Sequence, residues 1–390
     1  MRAADPKGGL ILDRQGATRD HAASGRRAAL SGGVRGLFGD AAPGDRSARA
    51  RFAIFILAAL LAAAILFSLA SGASDASALA VLADWLSPGA SDALSERNRI
   101  IISEIRLPRV VLGVLVGAAL AVSGAVMQGL FRNPLADPGI VGVSSGASLG
   151  AVSVIVLGGT APAPLVQFLG LYALPVAAFL GGLTVTLILY RVSTRRGQTS
   201  VATMLLAGIA LAAMAMAFTG MLIFIADDRQ LRDLTFWSLG SLAGATWGKI
   251  IAIAPIVLPA VATAPFLARG LNALALGEAT ANHLGVPVER FKYVAILAVA
   301  GATGASVAVS GGIGFVGVVV PHLLRLLIGP DNRYLLPASA LLGATLLLLA
   351  DAASRTLVAP AELPIGIVTA AVGAPFFLWI LLRRRGLIDL

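Results

Sequence analysis

Apolar residues run along this chain in long blocks, and polar residues are confined to short gaps between them. The blocks fall at about 52–72, 107–130, 139–159, 165–190, 201–225, 246–268, 293–310, 313–328, 335–358 and 364–382. A helix needs roughly 20 apolar residues to cross a bilayer, whereas a soluble surface helix shows an apolar stripe on one face only. The pattern predicts an all-α polytopic membrane protein with about ten transmembrane helices. A reentrant turn is expected at Gly311 and Gly312, and a short interfacial helix over 237–248 ahead of the sixth span.

The stretch 106–150, RLPRVVLGVLVGAALAVSGAVMQGLFRNPLADPGIVGVSSGASLG, sets two segments rich in small residues on either side of a polar hinge, FRNPLADP. Gly142, Gly146 and Gly150 recur at every fourth position, where close packing of membrane helices favours small side chains. Residues 1–50 are rich in Arg, Gly, Ala and Asp and lack apolar periodicity, so a disordered basic arm is expected ahead of a membrane domain over 51–390. A cleavable signal peptide would carry its apolar stretch near the start, but here the first long run follows Arg51, so it is expected to be a retained span.

Composition strengthens this reading. Hydrophobic residues make up 57% of the 390 and charged residues only 13%, against about a quarter charged in soluble domains, whose surfaces must be hydrated. The net charge of +10 sits largely in the arm and in short gaps between apolar runs, with little aromatic interleaving. Such clusters orient spans and meet anionic headgroups, so lipid and not nucleic acid is the expected partner. With the arm inside, alternation also places Arg132, Arg191, Arg195, Arg196, the segment 269–292, Arg325, Arg333 and 383–385 inside, and both termini are expected in the cytoplasm. Arg106, Arg109 and Arg355 break the rule by lying at outer ends of spans.

Catalytic chemistry is thin. There is no cysteine, and His21, His283 and His322 have no partners at metal-ligand spacing, so no metal site is expected. The nearest approach to a phosphate loop, 244–250, has one spacer too few and no Ser or Thr after Lys249, so no ATP site is expected on this chain. Ser144 and Ser145 beside Gly146 have no identifiable base and read as a packed helix start. Within the apolar runs the charged residues are few: Asp351, and near the ends Glu362, Arg325 and His322. Asp351 is expected to pair with Arg355 at i, i+4. A secondary transporter would need ionisable groups or broken helices at the midplane. It remains the rival reading, which dependence of uptake on membrane potential would favour. The segment 269–292 reads as a helix from Leu271 to Leu284, stopped by Gly285 and Pro287, with a second turn from Val288.

RLPR (106–109), GAALAVSGAVMQGLFRNPLADPGIVGVSSGA (117–147), NALALGEATANHLGV (272–286), GFVGVVVPHLLR (314–325) and LLLLADAASR with AELPIGIVTAAVGAPFFLWILL (346–382) together resemble the permease family of type II ABC importers for iron-siderophores, haem and cobalamin. The resemblance covers about 52–385, and the hinge wording is most similar to the haem branch. It implies a homodimer in a bacterial inner membrane, two cytoplasmic ATPase subunits that use the ATP, a periplasmic binding protein, and haem as cargo, with a ferric siderophore or cobalamin as the alternative. It also implies that Leu274, Leu276, Gly277, Glu278, His283 and Gly285 belong to the segment that couples to the ATPase. Such a segment, outside the bilayer, is expected to contribute little to span packing. Arg106, Arg109 and Arg355 match arginines that dock glutamates of the binding protein as an outward surface. Met127, Gln128 and Met204 are candidates for the translocation path. The gate expected near 200–203 is not matched in residue identity, so no gate residue is named.

Overall fold

The computed structural model describes residues 46–71, 96–139, 142–159, 163–195, 198–359 and 361–383. The arm up to residue 45, most of the first outer loop, Arg196, Arg384 and Arg385 lie outside the described residues. Helix α1 (Ser47–Ala70) starts before the expected end of the arm. Next, a short helix (Glu96–Ile100) passes through one wide π-helical stretch (Ile101–Arg106) into α2 (Leu107–Leu130), which opens with a proline where a missing N–H costs nothing.

Helices α3 (Val143–Leu157) and α4 (Ala173–Ser193) form a tight pair. A Cβ added at Gly146 would stand 2.5 Å from the carbonyl oxygen of Gly181, and one at Gly150 would strike that of Ala177. The four-residue spacing of small residues therefore serves backbone contact at Gly146 and Gly150. Gly142, at φ +88°, starts the helix from a left-handed conformation.

A two-stranded ribbon (Thr194–Arg195 with Gln198–Thr199) leads into α5 (Val201–Ile225), which Ser200 caps by accepting from the Thr203 amide. Helix α6 (Asp228–Ser238) is amphipathic and opens with a capping box between Asp227 and Gln230. It is the short helix ahead of the sixth span, but it overlaps 237–248 only at Trp237 and Ser238. The reason is local: Asp227 supplies the cap, while 239–246 turn through Gly240 at φ +75°.

The sixth apolar block is two helices, α7 (Trp247–Ala262) and α8 (Ala264–Ala275), bent by 43°. The helix expected from Leu271 to Leu284 is broken. Its first part belongs to α8, Gly277 at φ +107° interrupts it, and α9 (Glu278–His283) follows. Helix α10 (Val288–Ser310) ends at Gly311, φ +68°, where the chain turns before α11 (Val316–Ile328) at the expected junction. Helices α12 (Asn332–Thr356) and α13 (Ile365–Arg383) complete the described chain.

Ala50–Leu390 forms one compact unit whose interior holds two large apolar clusters. Helices α2 and α12 run antiparallel through its centre, with Gly117 and Gly343 in backbone contact. Among the described residues, six helices are long and apolar enough to cross a bilayer, or seven if α7 and α8 make one span. Helix α3, helix α11 and the stretch Ile365–Trp379 are apolar but shorter. The chain is thus a mostly helical, multi-pass membrane protein, and several blocks read as full spans are shorter than a straight crossing requires.

Candidate docking and coupling sites

The antiparallel α2 and α12 bring residues far apart in sequence to the same ends of the bundle. At one end Arg109 is clamped between two carboxylates. Its Nε donates to Asp351 at 2.9 Å and 3.1 Å, and its Nη2 stands 2.8 Å from Asp351 Oδ1. Glu362 takes the remaining edge, accepting from Nη1 at 3.1 Å and lying 3.0 Å from Nη2. Arg355 meets Asp351 Oδ2 at 3.1 Å, the i, i+4 pair read from the sequence. It also donates to the Ser71 carbonyl at 2.7 Å and to Ser68 Oγ at 3.0 Å. Arg106 donates to the Leu69 carbonyl at 2.6 Å. The last carbonyls of a helix have no partner within it, so Arg106 and Arg355 also cap α1.

The three arginines named from the sequence do converge, but the expectation of an outward surface is corrected. Arg106 is 5% exposed and Arg109 8%, and the Asp351 between Arg109 and Arg355 is fully buried. Charges at a span end leave water only with partners: Asp351 and Glu362 supply those of Arg109, Asp351 that of Arg355, and the Leu69 carbonyl that of Arg106. Glu362, 41% exposed, is the outer member of the cluster. Its pairing was not read from the sequence. The signal was a charge count: two arginines on the single acid Asp351 leave room for a second acid.

The opposite end carries the coupling segment. Leu274 is buried, Leu276 is exposed, and Gly277 and Gly285 have positive φ on either side of α9. His283 closes the last turn of α9. Glu278 points inward, 2.9 Å from Nζ of the buried Lys292 on α10. The expectation that this segment adds little to span packing is therefore corrected at Glu278. Lys292, not singled out in the sequence, also lies 5.6 Å over the Tyr190 ring. Close by, Asp331 caps α12, accepts from Asn272 at 2.7 Å and pairs with Arg333. Burial alone would raise its carboxyl pKa, but the bonds from Arg333 and Asn272 bring it below the usual range.

Met127 and Met204 lie fully buried in the larger apolar cluster. Gln128, also buried, donates to the Gly317 carbonyl and accepts from Arg325. In this arrangement of helices all three pack the bundle, so the expectation that they line an open path is not met. Among the described residues no group of three His, Asp or Glu could hold a metal ion.

Residues 60–383 match the model of the FecCD transport family. The chain belongs to the FecCD family. Among curated FecCD relatives it is 51% identical over 281 residues to the hemin transport system permease protein HmuU of Yersinia pestis, covering 72% of this chain and 83% of that one. It is 45% identical over 290 residues to the cobalamin import system permease protein BtuC of Halobacterium salinarum, covering 74% and 75%. The vitamin B12 import system permease protein BtuC of Escherichia coli O9:H4 is 42% identical over 336 residues, covering 85% and 95%. A solved inward-facing conformation of a metal-chelate type ABC transporter superposes with a TM-score of 0.71 at 33% identity, over 85% of this chain and 98% of that chain. The chain is a transport permease of the ABC importer type.

Proposed function

We propose that this permease forms a homodimer in a bacterial inner membrane and carries haem inward, driven by ATP that two separate ATPase subunits hydrolyse and supplied by a periplasmic binding protein. The observation that carries the cargo is the 51% identity to a hemin permease. Cobalamin is the second reading, favoured by the longer alignment to the vitamin B12 permease. Both termini lie in the cytoplasm, consistent with Arg132, Arg191, Arg195, Arg269, Arg290 and Arg333 at the end of the bundle that holds α9. In this reading the second copy covers the exposed apolar face of α5, which carries Met216, Met221 and Phe224.

Docking of the binding protein falls to the end built by Arg106, Arg109 and Arg355, where carboxylates of an acidic partner would compete with Glu362 for the Arg109 edge. A guanidinium's forked donors suit such an exchange. The ATPase contact falls to Leu276 and the outer face of α9. The test is uptake into liposomes that hold the permease with its ATPase and binding protein. ATP-dependent accumulation of haem, unaffected by collapse of the membrane potential, is the expected result. Uptake of cobalamin without haem would overturn the cargo, and loss of uptake with the potential would overturn the energy source.

A further inference from the structure

Among the fully buried side chains Lys292 is the largest, and an ammonium removed from water needs a partner. That partner is Glu278, the first residue of α9, whose side chain is 11% exposed. Lys292 lies over the ring of Tyr190 in the last turn of α4, a placement that favours a cation. The Tyr190 hydroxyl donates to Glu289 Oε2 at 2.5 Å, and Tyr293 packs edge-on against the same ring at 6.4 Å. One charge pair therefore joins α9, α10 and α4.

Both ends of α9 turn on glycines. Gly277 and Gly285 sit at φ +107° and +82°, a region other residues enter only with strain. A push on a six-residue helix held between two such points would be taken up by the glycines unless something inside the segment is fixed to the spans. Glu278 is inside it and is fixed, at 2.9 Å, to a buried lysine on a different helix.

We infer that the Glu278–Lys292 pair is the link that carries displacement of α9 into spans α10 and α4, so both are positioning residues for transport. This rests on the reading of α9 as the ATPase contact. Ala281 also seats α9 in the apolar cluster, and the charge pair adds the directional tie to a different helix that turns movement of the segment into movement of the bundle.

The test uses the full complex of permease, ATPase and binding protein in liposomes, reading ATP hydrolysis and uptake together. Removing one charge breaks a buried ion pair from one side and would disturb folding, but replacing both halves with neutral side chains is commonly tolerated. The variant is accordingly Glu278→Gln with Lys292→Met, its folded state checked by thermal unfolding. ATPase should co-purify as with the unaltered chain and hydrolysis should continue, while cargo moved per ATP falls at least about fivefold, the lower end of ordinary coupling between sites. An unchanged ratio in a folded variant would overturn the inference. A separate variant, Leu276→Asp on the exposed side, tests the reading beneath it. Loss of ATPase co-purification supports α9 as the contact, and full co-purification removes that reading whatever the first variant does.

Discussion

All three guanidinium nitrogens of Arg109 are engaged within its own chain, which alters what its removal should do. Asp351→Ala would leave Arg109 to Glu362 and Arg355 to Ser68 and the Ser71 carbonyl, and breaking a buried pair from one side costs up to about 3–5 kcal/mol. A large fall in the thermal midpoint in detergent is expected, and an unchanged midpoint would mean that the arginines find water. Glu362→Gln is different because that carboxylate is 41% exposed. Its contribution to stability should stay below about 1 kcal/mol. Docking of the binding protein should tighten, since the competing charge is gone, and titration calorimetry would read this directly. Weaker docking would show that Glu362 presents the arginine and does not compete for it.

At the scale of elements, α3 and α4 depend on backbone contact. Gly146→Leu forces a side chain into the space held by the Gly181 carbonyl and Val185, and overpacking of this kind costs typically about 1–3 kcal/mol or more. Gly220→Ala on α5, where an added Cβ meets nothing of its own chain within 4 Å, should leave the stability of the protomer nearly unchanged. Thermal unfolding of the two variants decides. The spacing of Gly142, Gly146 and Gly150 made this contact legible in the sequence, as apolar blocks made the spans legible. The break at Gly277 was not, because Leu271 to Leu284 keeps a helical pattern and Gly can sit within one. Lys292 also escaped, because a lysine next to Arg290 reads as one more inside charge until the fold turns Glu278 toward it. The arginine cluster was half legible. Its members violated an orientation rule, but their burial depended on α1 and α12 arriving together.

For the whole molecule, the expected behaviour is that of one part in a larger machine. The isolated chain should hydrolyse no ATP, and turnover by the partner-free permease would refute the assignment of that activity to separate subunits. Affinity for the binding protein should fall with added salt, because the attraction between acidic partner and basic end is screened over about 10 Å at 0.1 M.

The central antiparallel pair has a mechanical consequence. Helices α2 and α12 are tied by Arg109 and Asp351 at one end and touch backbone to backbone at Gly117 and Gly343. At the other end Gln128 ties α2 to α11, and Asn332 ties α12 to Asn272 of α8. Such a pair is a strut: it cannot slide without breaking several polar bonds at once. Any displacement that α10 and α4 take up from α9 must then either leave this strut in place or break its bonds together.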